Sequence, residues 1–355
     1  MNESIDDCRK IIDDLDRELV RLLDERARTA LEIVRLKKQD GRSIRDFARE
    51  SQVYQNVVAA SQGPFGERAL RSIFREIINA TGELQCAVRV AYLGPPATFT
   101  HAAARHQFGS AVEFISARTI RDVFLIAERA EADFGVVPVE NSTDGAVTHT
   151  LDTLADSDLK ICGEVSLPIS HHLLSNGTLE SIRRVYSHPQ ALAQTRDWLS
   201  QNLPNVEVFE TSSTARAAEM VASNPSAAAI ATELAAEVYG VNILARGIED
   251  NPHNYTRFLV VGREMSRPTG SDKTSLVFSV QHKVGSLHKA LEVLAGNGIN
   301  MTKIESRPFR GRVWEYQFFV DIQGHPSDEP VSSALNDLSQ ACSSLRVLGA
   351  WPVEE

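Results

Sequence analysis

An N-terminal helix pattern of unusual length constrains the fold more than any other feature of this sequence. Residues 3 to 40 contain neither proline nor glycine. Apolar side chains recur there mostly at intervals of three or four, the spacing of one helix face: they are Ile5, Cys8, Ile12, Leu15, Leu19, Leu22, Ile33 and Leu36. Such a helix would run roughly 50 Å, longer than a domain of this size is wide. We therefore expect it to pack against a partner, most plausibly a second copy of the chain.

Three zones of different composition follow each other along the 355 residues. Residues 1–86 are predicted to be helical, with further helices over 45–60 and from 67 to about 85. Residues 88–263 alternate short apolar strands with helical segments, which indicates α/β architecture with a largely parallel sheet. Residues 264–272 have the composition of a linker, and residues 273–355 show the β-α-β-β-α-β order of ferredoxin-like domains.

The composition excludes several classes of function. Contents of 43% hydrophobic and 24% charged residues describe an ordinary soluble protein. No signal peptide and no apolar run of bilayer length is recognisable, so we expect a cytoplasmic protein without a membrane partner. A formal net charge of −10 argues against nucleic-acid binding. The histidines and cysteines lack metal-ligand spacing, so no metal is predicted.

Polar residues cluster directly after the predicted strands of the middle zone. The segments are GPPATFTH, PVENSTDG, SHPQ, TSSTA and NPHNYTRF. Parallel sheets bind ligands at the carboxyl ends of their strands. A single Ser, Thr or Asn there is often only a helix cap, but five such segments in one domain indicate a ligand cleft.

Two cations lie on the seam of the first helix. Arg26 falls where the next core position is expected, and Lys37 follows eleven residues later on the same face, about 16 Å further along the axis. This spacing would hold an anionic substrate between two cations. Side chains that reach solvent or a partner helix would give the same pattern, so both interpretations stay open.

An ordered set of motifs resembles the bifunctional chorismate mutase/prephenate dehydratase family over essentially the whole chain. The helical zone contains RKIIDDLDRELVRLLDER, LKK, RSIRDFARE and NATGELQ, the middle zone contains PVENS, SHPQALAQ and TRF, and the last zone contains GINMTKIESRP. The resemblance implies an enzyme of phenylalanine biosynthesis that needs no cofactor. It would comprise an all-α mutase domain forming an intertwined dimer, a two-lobed, periplasmic-binding-protein-like α/β dehydratase domain, and an α+β ACT regulatory domain.

The mutase reaction rearranges chorismate to prephenate, and the resemblance assigns side chains to three parts of the substrate. These are Arg26, Arg9 from the partner subunit and Arg49 at the carboxylates, Lys37 and Gln85 at the ether oxygen, and Asp46 and Glu50 at the hydroxyl end. Thr81 stands where the family usually has serine. The hydroxyl group is kept, so we expect little change.

The dehydratase reaction removes carbon dioxide and the ring hydroxyl from prephenate. The resemblance gives the acid-like role to Thr256, which would donate a proton or only hydrogen-bond to the departing oxygen. Arg257 would bind a substrate carboxylate or support Thr256. The other residues predicted to line the cleft are Glu140, Asn141, Ser142, His188, Ser213, Thr214 and Asn254. Ala97 replaces the usual glycine before Thr-Phe-Thr and would strain the loop if that position needs a positive φ.

The ACT resemblance implies feedback inhibition by phenylalanine bound between paired domains. The predicted contacts lie in two segments: Gly285, Ser286, Leu287 and His288, and then Glu305, Ser306, Arg307 and Pro308. The first segment departs from the usual Gly-Ala-Leu-Val, and a more polar wall would weaken or retune phenylalanine binding. Tryptophan and tyrosine stay open as alternative effectors.

Two other functions fit parts of this pattern. An arogenate dehydratase would make phenylalanine directly, and a non-catalytic amino-acid sensor would share the two-lobed and ACT folds. The expected partners are chorismate, prephenate and phenylalanine, in a homodimer or a higher oligomer.

Overall fold

A computed structural model describes residues 4–39, 45–84, 88–110, 112–309 and 315–353. The chain divides into two compact units, residues 1–88 with 109–112 and residues 89–108 with 113–355. Among the described residues, no helix combines the length and apolar character needed to cross a bilayer.

The described part of the first unit consists of the helices α1 (Ile5–Gln39), α2 (Phe47–Ala60) and α3 (Glu67–Glu83). Asp46 begins α2 as its N-cap, and its carboxylate accepts a hydrogen bond from the Arg49 backbone N–H at 3.1 Å. The long first helix is confirmed. Its apolar face remains in solvent, with Leu15 58% and Leu19 56% exposed.

The second unit contains fifteen strands, nine α-helices and one 3₁₀ helix (Leu179–Ser181) within the described residues. The strands are β1 (Arg89–Leu93), β2 (Glu113–Ala117), β3 (Phe134–Asn141), β4 (Gly145–Ala146), β5 (Lys160–Pro168), β6 (His172–Leu174), β7 (Arg184–Ser187), β8 (Glu207–Glu210), β9 (Ala227–Ala231), β10 (Ile243–Ala245), β11 (Tyr255–Gly262), β12 (Asp272–Ser279), β13 (Met301–Pro308), β14 (Tyr316–Gln323) and β15 (Ser344–Pro352). The helices are α4 (Phe99–Phe108), α5 (Ile120–Glu128), α6 (Thr148–Asp156), α7 (Pro189–Gln194), α8 (Arg196–Asn202), α9 (Thr214–Val221), α10 (Glu233–Tyr239), α11 (Ser286–Gly296) and α12 (Val331–Ala341).

These strands form two mixed sheets. Ten strands make the larger one, in the order β13-β14-β12-β15-β5-β11-β3-β1-β2 with β4 beside β3, and five make the other, β10-β6-β9-β7-β8. Strand β1 is parallel to β2 and β3, whereas β11 runs antiparallel to β3 and β5. The prediction of a largely parallel sheet is therefore wrong in part, because the chain returns to the first sheet in the reverse direction.

The two sheets define two lobes. The first lobe contains β1 to β5 and β11, with a core that includes Val137, Leu154 and Ile161. The second lobe contains β6 to β10, and small side chains such as Ala215 and Ala229 fill much of its core. Alanine-rich packing lets helix α9 approach strand β9 closely.

The C-terminal domain, β12 to β15 with α11 and α12, continues the sheet of the first lobe. Its β-α-β-β-α-β order is as predicted. Strand β15 runs parallel to β5 where Gly349 pairs with Ile161, and a Cβ at position 349 would overlap the Ile161 backbone. Trp351 is buried in the core of the first lobe. The C-terminal domain therefore shares both a sheet and an apolar core with that lobe.

The segment predicted as a linker is anchored at its described positions. The buried Ser266 hydroxyl donates to the Cys162 carbonyl oxygen at 2.8 Å, and a His325 ring nitrogen lies 3.0 Å from the Ser266 carbonyl oxygen. These contacts tie residues 264–272 to both flanking domains.

Candidate functional site

In the first unit, three of the predicted mutase residues lie together. Arg26 donates from Nη1 to Thr81 Oγ1 at 2.9 Å, and the Thr81 hydroxyl in turn donates to the Ile77 carbonyl oxygen at 2.6 Å. Burial, followed by the charge of Arg49, lowers the pKa of Arg26. Two guanidinium groups that repel each other across a partly buried space form a place where an anion is stabilised.

The remaining mutase predictions have different surroundings. Glu50 is paired with Arg45 through contacts of 2.9 and 3.0 Å, with these side chains only 15% and 11% exposed. Arg45 was not predicted, although its position five residues before Glu50 was visible in the sequence. Lys37 is half-buried on α1, and Arg9 is exposed and paired with Asp6 at 3.2 Å. Gln85 lies outside the described residues.

In the second unit, a hydrogen-bonded group surrounds Thr256 at the carboxyl end of β3. Asn141 Nδ2 donates to Thr256 Oγ1 and to Asn254 Oδ1, both at 2.8 Å. The Asn141 Oδ1 atom accepts from the backbone N–H groups of Thr143 and Asp144 at 2.9 and 3.0 Å. These two bonds fix which end of the amide is oxygen.

Ser142 extends the group around Thr256. Its hydroxyl oxygen accepts from the Tyr255 N–H at 2.9 Å and lies 3.4 Å from Asn254 Oδ1. Asn254 and Thr256 are buried. Strand pairing explains the assembly, because Thr256 and Asn141 are direct partners in the β11–β3 register. The structure thus brings together Asn141, Ser142, Asn254 and Thr256.

The predicted residues of the second lobe lie at helix N-termini that follow its strands, and two of them are N-caps. His188 Nδ1 accepts from the Gln190 N–H at 3.3 Å, and Ser213 Oγ accepts from the Arg216 N–H at 3.0 Å. Thr214 is the buried first residue of α9. In the described part of the chain, no hydrogen bond joins these three to the Thr256 group.

Two side chains link the PVENSTDG loop of the first lobe with the SHPQ loop of the second. Gln190 Nε2 donates to the carboxylate of Asp144. A further contact joins the lobes where Arg105 Nη1 meets Glu237 Oε1 at 3.2 Å. The polar loops of the two lobes therefore face each other, as a cleft between them requires.

Glu140 and Arg257 have a different environment from the predicted one. Arg257 donates to Glu140 at 2.8 Å, to Glu164 at 2.6 Å and to Asp321 at 3.1 Å. Lys303 lies 3.0 Å from Glu140, and Lys273 lies 3.1 Å from Glu164. We call this set the ion cluster: Arg257, Lys273, Lys303, Glu140, Glu164 and Asp321. Burial alone would lower the pKa of Arg257, but the carboxylates of Glu164 and Asp321 raise it.

Of the two predicted roles of Arg257, the structure therefore favours support of Thr256, and Glu140, predicted to line the cleft, is instead paired with Arg257 and Lys303. Successive residues of a strand project to opposite faces of a sheet. Arg257 and Glu140 thus lie on the face opposite to Thr256 and Asn141, where protein carboxylates and a lysine occupy them. The missed partners did leave a signal: Glu164 in ICGEVSL and Asp321 in QFFVDIQG are charged residues inside apolar strands, where unpaired charges are costly.

In the loop before α4, Ala97 has the positive φ that would strain a residue other than glycine. Ala97 has φ 67°, in the left-handed region that costs a non-glycine residue about 1–2 kcal/mol. Its N–H donates to His101 Nδ1 at 3.0 Å, and its carbonyl oxygen accepts from Thr232 Oγ1 at 2.9 Å. These bonds hold the strained residue in place.

Those contacts make acid stability a test of His101. Burial, and then the charge of Arg105, lowers the pKa of His101 from 6.5 to about 4. As the pH falls through this range, His101 binds a proton in the unfolded chain but not in the folded chain. The free energy of unfolding that is present above pH 6.5 therefore decreases towards pH 4. We expect the Tm of the wild type to fall more steeply between these values than that of His101→Asn. The exposed His149→Asn variant should keep the wild-type profile, and equal slopes for all three proteins would contradict the assignment.

In the C-terminal domain, the first predicted effector segment borders a cavity of 160 Å³. Ser286 and Leu287 line it, together with residues 280–283 and Glu315, Tyr316 and Phe318. Gly285 caps α11 with φ 80°, so Ser286 is the first residue of the helix. His288 is 79% exposed.

The second predicted effector segment lies on β13, where Ser306 and Pro308 pair with Phe318 and Tyr316 of the cavity lining. Arg307 forms a forked ion pair with Asp152 of α6, with contacts of 3.2 and 3.1 Å. Glu305, Ser306 and Pro308 flank it, and none of residues 305–308 lines the cavity. Within one copy of the domain, the first segment lines the cavity and the second adjoins it through β14.

Comparison with known proteins gives three family matches in chain order. The chorismate mutase type II model matches residues 8–86, the prephenate dehydratase model residues 90–266 and the ACT domain model residues 274–340.

Individual relatives agree with these matches. A bifunctional chorismate mutase/prephenate dehydratase of Aquifex aeolicus is 47% identical over 355 residues, covering 99% of this chain and 98% of the relative. Among solved structures, the prephenate dehydratase of Arthrobacter aurescens in complex with L-Phe has a TM-score of 0.69 and 36% identity, covering 75% of this chain and 90% of that one. GqqA, described as a novel type of quorum quenching acylase, has a TM-score of 0.70 and 32% identity, covering 75% of this chain and 98% of that one.

Proposed function

Because this chain belongs to the bifunctional chorismate mutase/prephenate dehydratase family, we propose that it converts chorismate to prephenate in its first unit and prephenate to phenylpyruvate in its second. The observation that carries the second activity is the bond from Asn141 to Thr256. The protein is thereby an isomerase and a carbon–oxygen lyase of phenylalanine biosynthesis, a pathway we place in the cytoplasm.

The mutase step needs no nucleophile, because the rearrangement is unimolecular. Catalysis comes from holding the dianion in a compact conformation and stabilising charge on the breaking ether. Arg26 is oriented by Thr81 and, with Arg49, supplies positive charge for the carboxylates. We assign the ether oxygen to Lys37 and Gln85. We assign Asp46 and Glu50 to the hydroxyl end of chorismate. Asp46 also caps α2, and Glu50 also pairs with Arg45.

The dehydratase step is supported by the direction of the hydrogen bonds around Thr256. Because Asn141 donates to Thr256 Oγ1, the threonine oxygen is the acceptor of that bond and its own hydrogen can point elsewhere. An N–H bond to the oxygen also stabilises negative charge developing there. We assign the Thr256 O–H to the departing ring hydroxyl of prephenate. The C–C bond to the carboxylate then breaks as carbon dioxide leaves, and its electron pair completes the aromatic ring. The C–O bond breaks, the departing oxygen takes the Thr256 proton and leaves as water, and Thr256 Oγ1 regains a proton from solvent.

The remaining polar groups of the cleft bind the substrate in this proposal. Asn254 and Ser142 flank Thr256 from the first lobe, and His188, Ser213 and Thr214 approach from the second. Closure of the two lobes would exclude water from the reacting centre. The Gln190–Asp144 contact between the facing loops supports such closure.

Phenylalanine is the proposed effector of the ACT domain. The solved relative from Arthrobacter aurescens carries L-Phe. The cavity beside Ser286 and Leu287 supplies one wall, and residues 305–308 of a partner subunit supply the other, with Gly285 and His288 at the rim. The hydroxyl of Ser286 gives this wall a polar group that would retune the affinity for phenylalanine.

We propose a homodimer, with a higher oligomer as the alternative. The support is the apolar face of α1, where Ile5, Ile12, Leu15, Leu19, Leu22, Ile33 and Leu36 are each between 47% and 73% exposed. Exposed apolar surface of this extent marks a protein interface. Pairing along α1 would also bring Arg9 of the partner subunit to the mutase site.

The dimer is tested by a double variant, Leu15→Glu with Leu19→Glu. Burial of a leucine contributes about 1.5–3 kcal/mol, so we expect sedimentation equilibrium to show self-association weakened by more than tenfold, at about 1.4 kcal/mol per factor of ten. Mutase activity should fall with it, while dehydration of prephenate continues. Arg17→Glu adds the same negative charge to the opposite side of α1 and should leave both properties unchanged. Wild-type mutase activity in the double variant would contradict the interface.

Parallel assays with prephenate and arogenate separate the proposed activity from its rivals. Turnover of prephenate to phenylpyruvate, with a higher kcat/KM than for arogenate, is the expected result. A preference for arogenate would make the chain an arogenate dehydratase. Binding of phenylalanine without turnover of either compound would make it an amino-acid sensor.

A further inference from the structure

The ion cluster connects the dehydratase strands to the C-terminal domain. Glu140, Glu164 and Arg257 lie on β3, β5 and β11, whereas Lys273, Lys303 and Asp321 lie on β12, β13 and β14. Three cations therefore face three carboxylates among the described residues. The side chains of Asp321 and Lys303 are each only 10% exposed. Charges so far from water are costly unless paired, so each domain supplies counterions that the other needs.

Strand β3 is irregular beside the cluster. Arg257 pairs with Glu140, but the next residue, Phe258, pairs with Pro138, so Val139 has no counterpart on β11. Such bulges redirect side chains and weaken the local ladder of hydrogen bonds. The end of β3 that carries Glu140 and Asn141 thus departs from the regular register beside Thr256, whereas β11 pairs regularly with β5 from Tyr255 to Val260.

Side-chain bonds from Arg257 reinforce this weak point. Its guanidinium reaches Glu140 on β3 and Glu164 on β5, the two neighbours of β11, and also Asp321 on β14. Thr256 is the adjacent residue and projects to the other face. A shift of Arg257 along the sheet would therefore displace the Thr256 hydroxyl relative to Asn141.

We propose that Asp321 of the C-terminal domain is a positioning residue for dehydration. It acts through Arg257 to hold β11 against the bulged end of β3, and this holds the Thr256 hydroxyl in register with Asn141. The inference rests on the proposed dehydratase function, since it concerns the same site. The regulatory domain then supports the catalytic strand directly, and a movement of β14 reaches Thr256 through the Asp321–Arg257 ion pair.

Other contacts hold the two domains together without Asp321. Lys160 Nζ donates to the Val347 carbonyl oxygen at 3.0 Å, and Arg307 pairs with Asp152 at 3.1 Å. Lys160 is opposite Gly262, at the far end of β11 from Thr256. It is therefore a matched control: a cation at the same domain boundary that does not adjoin the reacting residue.

The test compares Asp321→Asn, Asp321→Glu and Lys160→Met in the full-length protein, with prephenate and chorismate as substrates. A small displacement of a reacting group costs up to about 10²-fold in rate, and we expect Asp321→Asn to lower kcat for prephenate by about 10-fold to 10²-fold with little change in KM. Asp321→Glu should recover most of kcat. Lys160→Met should keep the wild-type kcat, and all three should keep wild-type mutase activity.

The outcomes separate this inference from the function on which it rests. Failure of the wild type to dehydrate prephenate would remove the proposed function. A wild type that dehydrates prephenate, with Asp321→Asn at the same kcat or with an equal loss in Lys160→Met, would overturn the positioning role alone. If Asp321→Asn does not fold, Lys303→Gln replaces it in the test, because this variant removes only the ion pair between Lys303 and Glu140. A smaller loss of kcat at unchanged Tm is then expected, and a wild-type kcat would overturn the proposal.

Discussion

Thr256→Val should lower kcat for prephenate dehydration by about 10² to 10⁴-fold, the range expected for loss of a positioned proton donor. Valine keeps the shape of threonine but lacks the hydroxyl that accepts from Asn141 and faces the departing oxygen. Mutase activity should be unchanged, because Thr256 lies in the other compact unit. Steady-state assays with prephenate and with chorismate on the same preparation give both values.

Thr256→Ser is the control for this experiment. Serine restores a hydroxyl at the same backbone position and should keep dehydration within about tenfold of the wild type, a cost of about 1.4 kcal/mol for its looser rotamer. Dehydration at the wild-type rate in Thr256→Val would remove the hydroxyl from the mechanism. Loss of both activities in a folded Thr256→Val protein would contradict the assignment of the two reactions to separate sites.

Lys37→Ala should have the converse effect. Removal of a positioned donor from a site of developing negative charge costs about 10² to 10³-fold in kcat, and we expect a loss of this size in the rearrangement of chorismate. Dehydration of added prephenate should continue at the wild-type rate. The fall in chorismate absorbance gives the first rate, and the formation of phenylpyruvate gives the second.

Arg35→Ala provides a matched control on the same helix. Arg35 is exposed and pairs with Glu32 at 2.7 Å, so its removal deletes a cation without touching the proposed site. Exposed pairs of this kind contribute little to stability. Equal losses of mutase activity in Lys37→Ala and Arg35→Ala would show that Lys37 has no specific role at the ether oxygen.

Features that depend on local pattern were predictable from the sequence. The spacing of Leu15, Leu19 and Leu22 predicted α1, because helix periodicity is a property of neighbouring residues. The β-α-β-β-α-β order of the C-terminal domain follows from the same kind of signal. The direction of β11 was not predictable in this way, because strand order depends on how distant segments pair.

In the candidate site, too, the residues were predictable from local motifs, whereas their contacts depend on the pairing of distant segments. Asn141, Ser142, Asn254 and Thr256 were each predicted from short motifs, and the structure brings them together. The bond that orients Thr256 was not predictable, since it depends on the register between β3 and β11. Support of Thr256 was one of the two roles predicted for Arg257, but the position of Arg257 on the other face of the sheet was not predicted. Alternation along a strand separates adjacent residues onto opposite faces, and this rule was available before the structure.

The proposal that both reactions occur in this chain is tested most directly by incubating the purified full-length protein with chorismate at neutral pH. Chorismate and phenylpyruvate are followed together, with and without phenylalanine, against a blank that contains no protein. We expect chorismate to disappear, phenylpyruvate to form, and phenylalanine to slow its formation. Loss of chorismate without phenylpyruvate would contradict the dehydratase assignment, and no loss of chorismate beyond the blank would contradict the mutase assignment.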